Sequence, residues 1–324
     1  MKTKTKLLLF VCCLSIFFLP FLTFAQPPKP ITLKDNLFNI DFINANQGWA
    51  VGYYGTILHT EDGGITWVYQ QSEKKIPLND VDFVDANNGW IVGYGPTILH
   101  TTDGGKTWSE QEIDGEIFIT SVYFLNEKKG WIVGEWGTIL ATEDAGNTWN
   151  SQLSGGDAIL YDICFADEMS GWAVGEFGTI FHTVDGGKKW NLQPSGVENV
   201  FFSCKALDSQ NVWVAGIESI VLRTNDGGNT WAKVVTPHKG LEPFYKIAFS
   251  DLKHGMICGQ GVAMYSDDGG VTWKPSRFSN SDISYIWLYG ISPTCGSSTL
   301  WMVGENRSIF KSTNQGQEWK KVDW

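Results

Sequence analysis

A unit of about 41 residues, present seven times in tandem, decides what this chain can fold into. The stretch GWAVGYYGTILHTEDGGITW at residues 48–67 reappears as GWIVGYGPTILHTTDGGKTW at residues 89–108. It returns as GWIVGEWGTILATEDAGNTW ending at Trp149 and as GWAVGEFGTIFHTVDGGKKW ending at Trp190. Weaker copies end at Trp231, Trp273 and Trp319, so successive anchors lie 41, 41, 41, 41, 42 and 46 residues apart. Of the sixteen tryptophans, these seven and Trp49, Trp90, Trp131, Trp172, Trp213 and Trp301 occupy two repeat positions. Only Trp136, Trp287 and Trp324 fall outside them.

Each unit reads as four short strands, because β-branched and aromatic residues cluster between Gly, Asn and Asp punctuation. In the second unit the strands are expected over residues 81–84, 90–92, 97–101 and 107–112. No window has helical spacing. Four-stranded sheets at this period are the mark of propeller blades, whose faces are buried against neighbouring blades. A linear solenoid needs polar end caps, and none is evident. The expectation is an all-β, seven-bladed β-propeller over residues 37–324, built of four-stranded antiparallel blades. The first strand of the first blade, near residues 39–43, and the last strand of the seventh, near 319–322, are each complete in chain order. No strand is therefore expected to cross the seam. Residues 31–33 are the one candidate for an added strand there, but Pro27, Pro28 and Pro30 mark residues 26–36 as a linker.

Residues 1–25 read as a secretory signal: Lys2, Lys4 and Lys6, an apolar run over residues 7–24, and Ala25 before the expected cleavage. A retained membrane anchor is the competing reading of that run. Cleavage places the mature protein outside the cytoplasm, secreted or in the periplasm or cell envelope. It also lowers Lys+Arg from 24 to 21 against 35 Asp+Glu, a formal charge of −14. Such a surface repels phosphate backbones, so nucleic acid is not an expected partner. A basic protein segment, including one on a membrane-associated partner, is compatible with it. Cys164, Cys204, Cys258 and Cys295 remain after cleavage, and their pairing cannot be read from spacing. Cys258 takes a repeat position held elsewhere by Val51, Val92, Val133 and Val174, which makes it a small buried hydrophobe.

The turn after the third strand carries Thr60-x-Asp62-Gly63-Gly64-x-Thr66-Trp67 and its counterparts at Asp103, Asp144, Asp185, Asp226 and Asp268. The last copy has Asn314 in place of the acid. A carboxylate recurring at six turns satisfies the amides of its own turn, and glycines supply left-handed backbone. It is read as structural. His59, His100 and His182 share one repeat position on different blades and cannot converge on one ion, so neither a metal site nor a cofactor is expected.

The unit G-W-x-V-G-x-x-G-T-I-x-x-T-x-D-G-G-x-T-W resembles that of the photosystem II stability and assembly factor family of BNR/Asp-box propellers. The likeness covers nearly all of residues 38–319. It implies the propeller fold and a non-catalytic role in binding a protein. Plant and cyanobacterial members carry an arginine-rich surface, whereas this chain has only Arg223, Arg277 and Arg307. Asp-box turns are also similar to those of sialidases and polysaccharide hydrolases. That makes a carbohydrate-binding or glycoside-hydrolysing propeller the alternative, although a sialidase site would need all three arginines to converge.

The turns between second and third strands open on the face opposite the Asp-boxes, and there the repeats diverge. They carry Tyr53, Tyr54, Tyr94, Glu135, Trp136, Glu176, Phe177, Glu218, Glu305, Asn306 and Arg307. Phe118, Tyr161, Phe201, Tyr245 and Tyr285 precede or open the innermost strands. Aromatics interleaved with acids suit a protein or glycan surface. The expected function is that of an exported, monomeric, non-catalytic propeller binding a protein partner through this face, with no catalytic residue assigned.

Overall fold

The computed structural model describes residues 35–324 except Ser154, Cys295 and Gly296. The expected signal segment, all but the last two linker residues, the candidate strand at residues 31–33 and Cys295 lie outside the described residues.

Seven antiparallel sheets follow one another in chain order, each made of four consecutive strands. In the first blade the strands are Leu37–Phe42, Gly48–Gly52, Ile57–Thr60 and Val68–Gln70. In the second they are Leu78–Phe83, Gly89–Gly93, Ile98–Thr101 and Ser109–Gln111. The innermost strands thus start earlier than the sequence pattern indicates, because their first residues face the interior without alternation. The seventh blade gains a fifth strand on its outer edge, where Arg277–Phe278 pairs in parallel with Glu318 and Trp319. That strand comes from the long connection that stretches the last interval to 46 residues.

The recurrent tryptophans set the blade spacing. Trp49, on the second strand of blade 1, is fully buried and stacks on Phe83 of blade 2 at 3.6 Å. Its indole N–H donates to the carbonyl of Gly104, in the Asp-box turn of blade 2, at 3.2 Å. Trp90 makes the same stack on Phe124 at 3.5 Å and donates to Ala145. In blades 1 to 4 and 6 the second tryptophan meets the phenylalanine ring edge-on, as Trp108 does Phe83 at 5.9 Å. Offset and T-shaped pairs are the favoured aromatic geometries. Where the innermost strand ends in phenylalanine, as in blades 1 to 4, a glycine precedes the inner tryptophan, since a Cβ at Gly89 would lie 2.4 Å from the Phe83 ring.

The same contacts close the ring. Trp301 of blade 7 stacks on Phe42 of blade 1 at 4.8 Å, and the buried Ser292 hydroxyl accepts the Phe42 amide at 2.8 Å. Arg307 donates its amide to the carbonyl of Asp35 and pairs with the Asp35 carboxylate at 2.5 Å. Among the described residues no strand crosses the seam; side-chain packing, this ion pair and the Arg307 amide bond join first blade to last.

Cys164, Cys204 and Cys258 are buried free thiols. Cys258 is fully buried in the apolar layer between blades 6 and 7, as its valine-like position predicts.

Candidate binding face and channel mouth

The Asp-box turns resolve into closed local networks. Asp62 accepts the Thr66 amide at 2.9 Å and the Thr66 hydroxyl at 2.7 Å, while the Thr60 hydroxyl donates to it at 2.9 Å. That hydroxyl in turn accepts the Gly64 amide at 2.9 Å. The Thr66 amide and hydroxyl pull the Asp62 carboxyl down to about 2. Asn314 reproduces the arrangement, accepting from Ser312 and from the Glu318 amide. With its oxygens engaged by its own turn, the carboxylate is a structural device.

The histidines at their shared position stack on the inner tryptophans: His59 on Trp49 at 4.6 Å, His100 on Trp90 at 4.6 Å and His182 on Trp172 at 4.4 Å. Burial lowers all three imidazole pKa values. Arg223 and Lys311 fill the same role over Trp213 and Trp301. Arg307 is taken by Asp35, so Arg223 and Arg307 both serve packing rather than an arginine surface.

On the opposite face the eleven candidate residues lie at the turn tips of separate blades, spaced around the channel mouth. Tyr54, Tyr94, Trp136 and Phe177 are 59 to 66% exposed. Tyr54, Trp136 and Phe177 hold left-handed backbone, with φ of 54°, 59° and 57°, as do Glu218 and Asn306. That region costs a non-glycine residue about 1–2 kcal/mol, and an exposed ring there regains nothing by burial. Several acids are partly engaged. Glu176 accepts the Ile159 amide at 3.1 Å, Glu305 the Trp287 amide at 3.1 Å, and Glu218 an Asn199 amide hydrogen at 3.0 Å. Tyr53 leans inward onto Phe38, ring centroids 5.2 Å apart.

The lining of the channel follows from one irregularity repeated in every blade. The pairing of each innermost strand skips its second residue, as between Leu37 and Asn39 or Leu160 and Asp162. The resulting bulge turns two consecutive residues toward the channel. One layer is therefore Phe38, Asn79, Thr120, Tyr161, Phe202, Tyr245 and Tyr289, and the next includes Asn39, Asp80, Ser121, Asp162 and Lys246. Asp162 accepts the Ser203 hydroxyl at 2.9 Å, the Cys204 amide at 3.0 Å and Lys246 Nζ at 3.3 Å. Ser121 donates to Asp80 at 2.6 Å, and Asn39 also donates to it. This belt staples blades together and narrows the channel.

Beyond the belt, toward the Asp-box side, a recess of about 180 Å³ contains Asp41, Asp82, Tyr123, Cys164 and Lys205. Burial pushes Asp41 up to about 6, against the pull of the Phe83 amide it accepts. Burial and then the Asp41 charge raise Asp82 further.

Two expectations about the mouth change. Phe201 is fully buried between blades, and it is Phe202 that lines the channel. Tyr285 is 89% exposed on a loop, while Phe38, Tyr289 and Trp287 belong to the aromatic cluster that sequence reasoning missed. Aligning the second residue of each innermost strand is the signal that finds Phe38, Phe202 and Tyr289. Trp287, outside the repeat, has no such signal.

The family described as photosynthesis system II assembly factor YCF48 matches the sequence over residues 27–109, 70–154, 152–242 and 238–324. Among solved structures, YCF48 bound to a D1 peptide superposes with a TM-score of 0.72 at 21% identity, covering 87% of this chain and 93% of that one. YCF48 from Cyanidioschyzon merolae gives 0.70 at 22% identity, covering 87% and 97%. A GH74 xyloglucanase from Xanthomonas campestris gives 0.73 at 10% identity, covering 89% of this chain and 54% of the enzyme. At these identities the superpositions establish the fold alone. No curated protein sequence matches the chain.

Proposed function

The chain belongs to the photosynthesis system II assembly factor YCF48 family, and on that premise we propose an exported, non-catalytic propeller that binds a protein partner through its second-to-third-turn face. The observation that carries this reading is the set of aromatics at Tyr54, Trp136 and Phe177, held in left-handed backbone with each residue 59 to 66% exposed. The turns need that backbone but not a side chain on it, since Gly95 and Gly261 hold the position in two blades, and strain of this kind clusters at functional surfaces. A solved YCF48 holds a D1 peptide, which supports a peptide-binding role for a propeller of this shape. The partner proposed here is an envelope protein other than a photosystem subunit, because Arg223 and Arg307 are bound into packing and the face is acidic instead.

The test is quantitative co-purification from the native envelope with the wild-type chain and with a Tyr54→Asn/Trp136→Asn/Phe177→Asn variant. Asparagine tolerates left-handed backbone, so the variant keeps the turns while removing the rings. The expected result is loss of a defined partner without loss of fold. Equal recovery by both chains would refute the assignment of this face.

A further inference from the structure

We propose that the channel mouth receives one cationic side chain, a lysine or arginine carried on an extended basic segment; this deepens, and rests on, the reading of this face as the partner-binding one. Four ring pairs form a continuous arc around the mouth: Phe38–Tyr289 at 5.5 Å, Tyr289–Tyr245 at 5.2 Å, Tyr245–Phe202 at 5.4 Å and Phe202–Tyr161 at 5.3 Å. Five of the seven channel-facing residues in this layer are thus aromatic. The arc's remaining gap is filled by Asn79 and Thr120, whose side of the mouth forms a recess of about 250 Å³. That volume lies below the roughly 300–1,000 Å³ of small-molecule pockets and suits a side chain better than a whole ligand.

Charge selects which side chain. Asp80 and Asp162 lie in the layer beneath the rings, and Lys246 is the one cation there, tied to Asp162. Glu176 reaches Tyr161 Oη at 3.5 Å. Burial and then the Glu305 charge push the Tyr245 phenol up to about 12 and raise Tyr289 as well. Asp80, Asp162, Glu176 and Glu305 against Lys246, with Arg307 already paired to Asp35, make the mouth repel anions, and ring faces attract cations through their quadrupoles. The exposed rings of Tyr54, Tyr94, Trp136 and Phe177 stand around it, placed to grip the chain on either side of the inserted residue. An extended segment engages both layers, whereas a free small cation would leave the outer rings unused.

The experiment uses the full chain and a nine-residue alanine–glycine peptide with one central arginine, compared with the same peptide carrying neutral citrulline. Saturation-transfer NMR from the protein's aromatic protons and titration calorimetry report insertion and affinity. The expected outcome is strongest transfer to the guanidino-bearing methylenes and at least a tenfold loss of affinity with citrulline. Tyr245→Leu and Tyr289→Leu should each weaken binding several-fold at an unchanged melting temperature, and Tyr289→Phe should leave it unchanged. Equal affinity for the citrulline peptide, unaltered binding by both folded leucine variants, or binding of a neutral oligosaccharide in place of the peptide would overturn the insertion. Envelope-partner capture that is lost in the outer-ring variant but indifferent to the leucine variants would overturn insertion alone. Arginine insertion with undiminished partner capture by the outer-ring variant would instead refute the outer face as the partner's site.

Discussion

Both ends of the propeller are built from hairpin turns with left-handed residues, yet they fill the first of those positions differently. At the Asp-box end glycines occupy the first left-handed position except for Ala145 and Gln315, and every second position is glycine. Each has a reason nearby: a Cβ on Gly64 would fall 2.1 Å from the Trp301 ring of blade 7. At the other end the exposed Tyr54, Trp136, Phe177, Glu218 and Asn306 take the first position in five blades, and glycine takes it in two, at Gly95 and Gly261. One end obeys local preference and interlocks with its neighbour; the other departs from it without a structural return. That contrast separates the face that holds the ring from the face that meets something else.

The contrast can be broken at several points. Trp172→Ala, which removes a fully buried inter-blade ring, should cost about 3–5 kcal/mol, read by urea unfolding. Gly64→Ala combines overpacking against Trp301 with φ of +73° and should cost about 3 kcal/mol. Thr142→Val leaves the buried Gly146 amide without its acceptor, a loss of about 1–3 kcal/mol. By contrast, Trp136→Asn should leave stability within about 0.5 kcal/mol of wild type or raise it. A large destabilisation there would place Trp136 with the structural residues and dissolve the distinction.

A pH series sharpens the comparison through charge. Asp41 holds its proton up to about 6 in the folded state, against an ordinary value of 3.8. The native chain therefore binds protons that the unfolded chain releases, and this contribution strengthens as pH falls from about 6 toward 4. Asp62 and Asp226 are depressed to about 2 by their turn hydrogen bonds. Their contribution is present above about pH 4 and is lost as pH drops through 2. Melting temperature should accordingly peak near pH 4 to 5, and Asp41→Asn should make the alkaline side shallower, leaving the part carried by the buried Asp80 and Asp82, with the acid side unchanged.

The repeat made the blade count, the strand order and the Asp-box turns readable, because each is written seven times and rests on short-range chemistry. Trp49, His59 and Asp62 explain one another once the period is known. The channel was less legible. Period-2 alternation directs the third and fifth residues of an innermost strand to the channel, but the bulge at Phe38, Tyr161 or Phe202 adds the second residue to that set. Choosing aromatics that open the innermost strands finds Tyr161 and Tyr245 but takes Phe201 where Phe202 lines the mouth. The fifth strand of blade 7 was hidden for another reason: Arg277–Phe278 is two residues long and pairs in parallel, with no repeat to announce it.

Two exposed apolar residues offer the most direct comparison of the faces: Phe177 at the channel-mouth end, 66% exposed, and Ile65 in an Asp-box turn, 74% exposed. A photo-crosslinking phenylalanine derivative placed at either position and activated in the native envelope samples each face under identical conditions. The account predicts a covalent adduct of defined mass from position 177 and none from position 65. An adduct from position 65 with none from position 177 would contradict it.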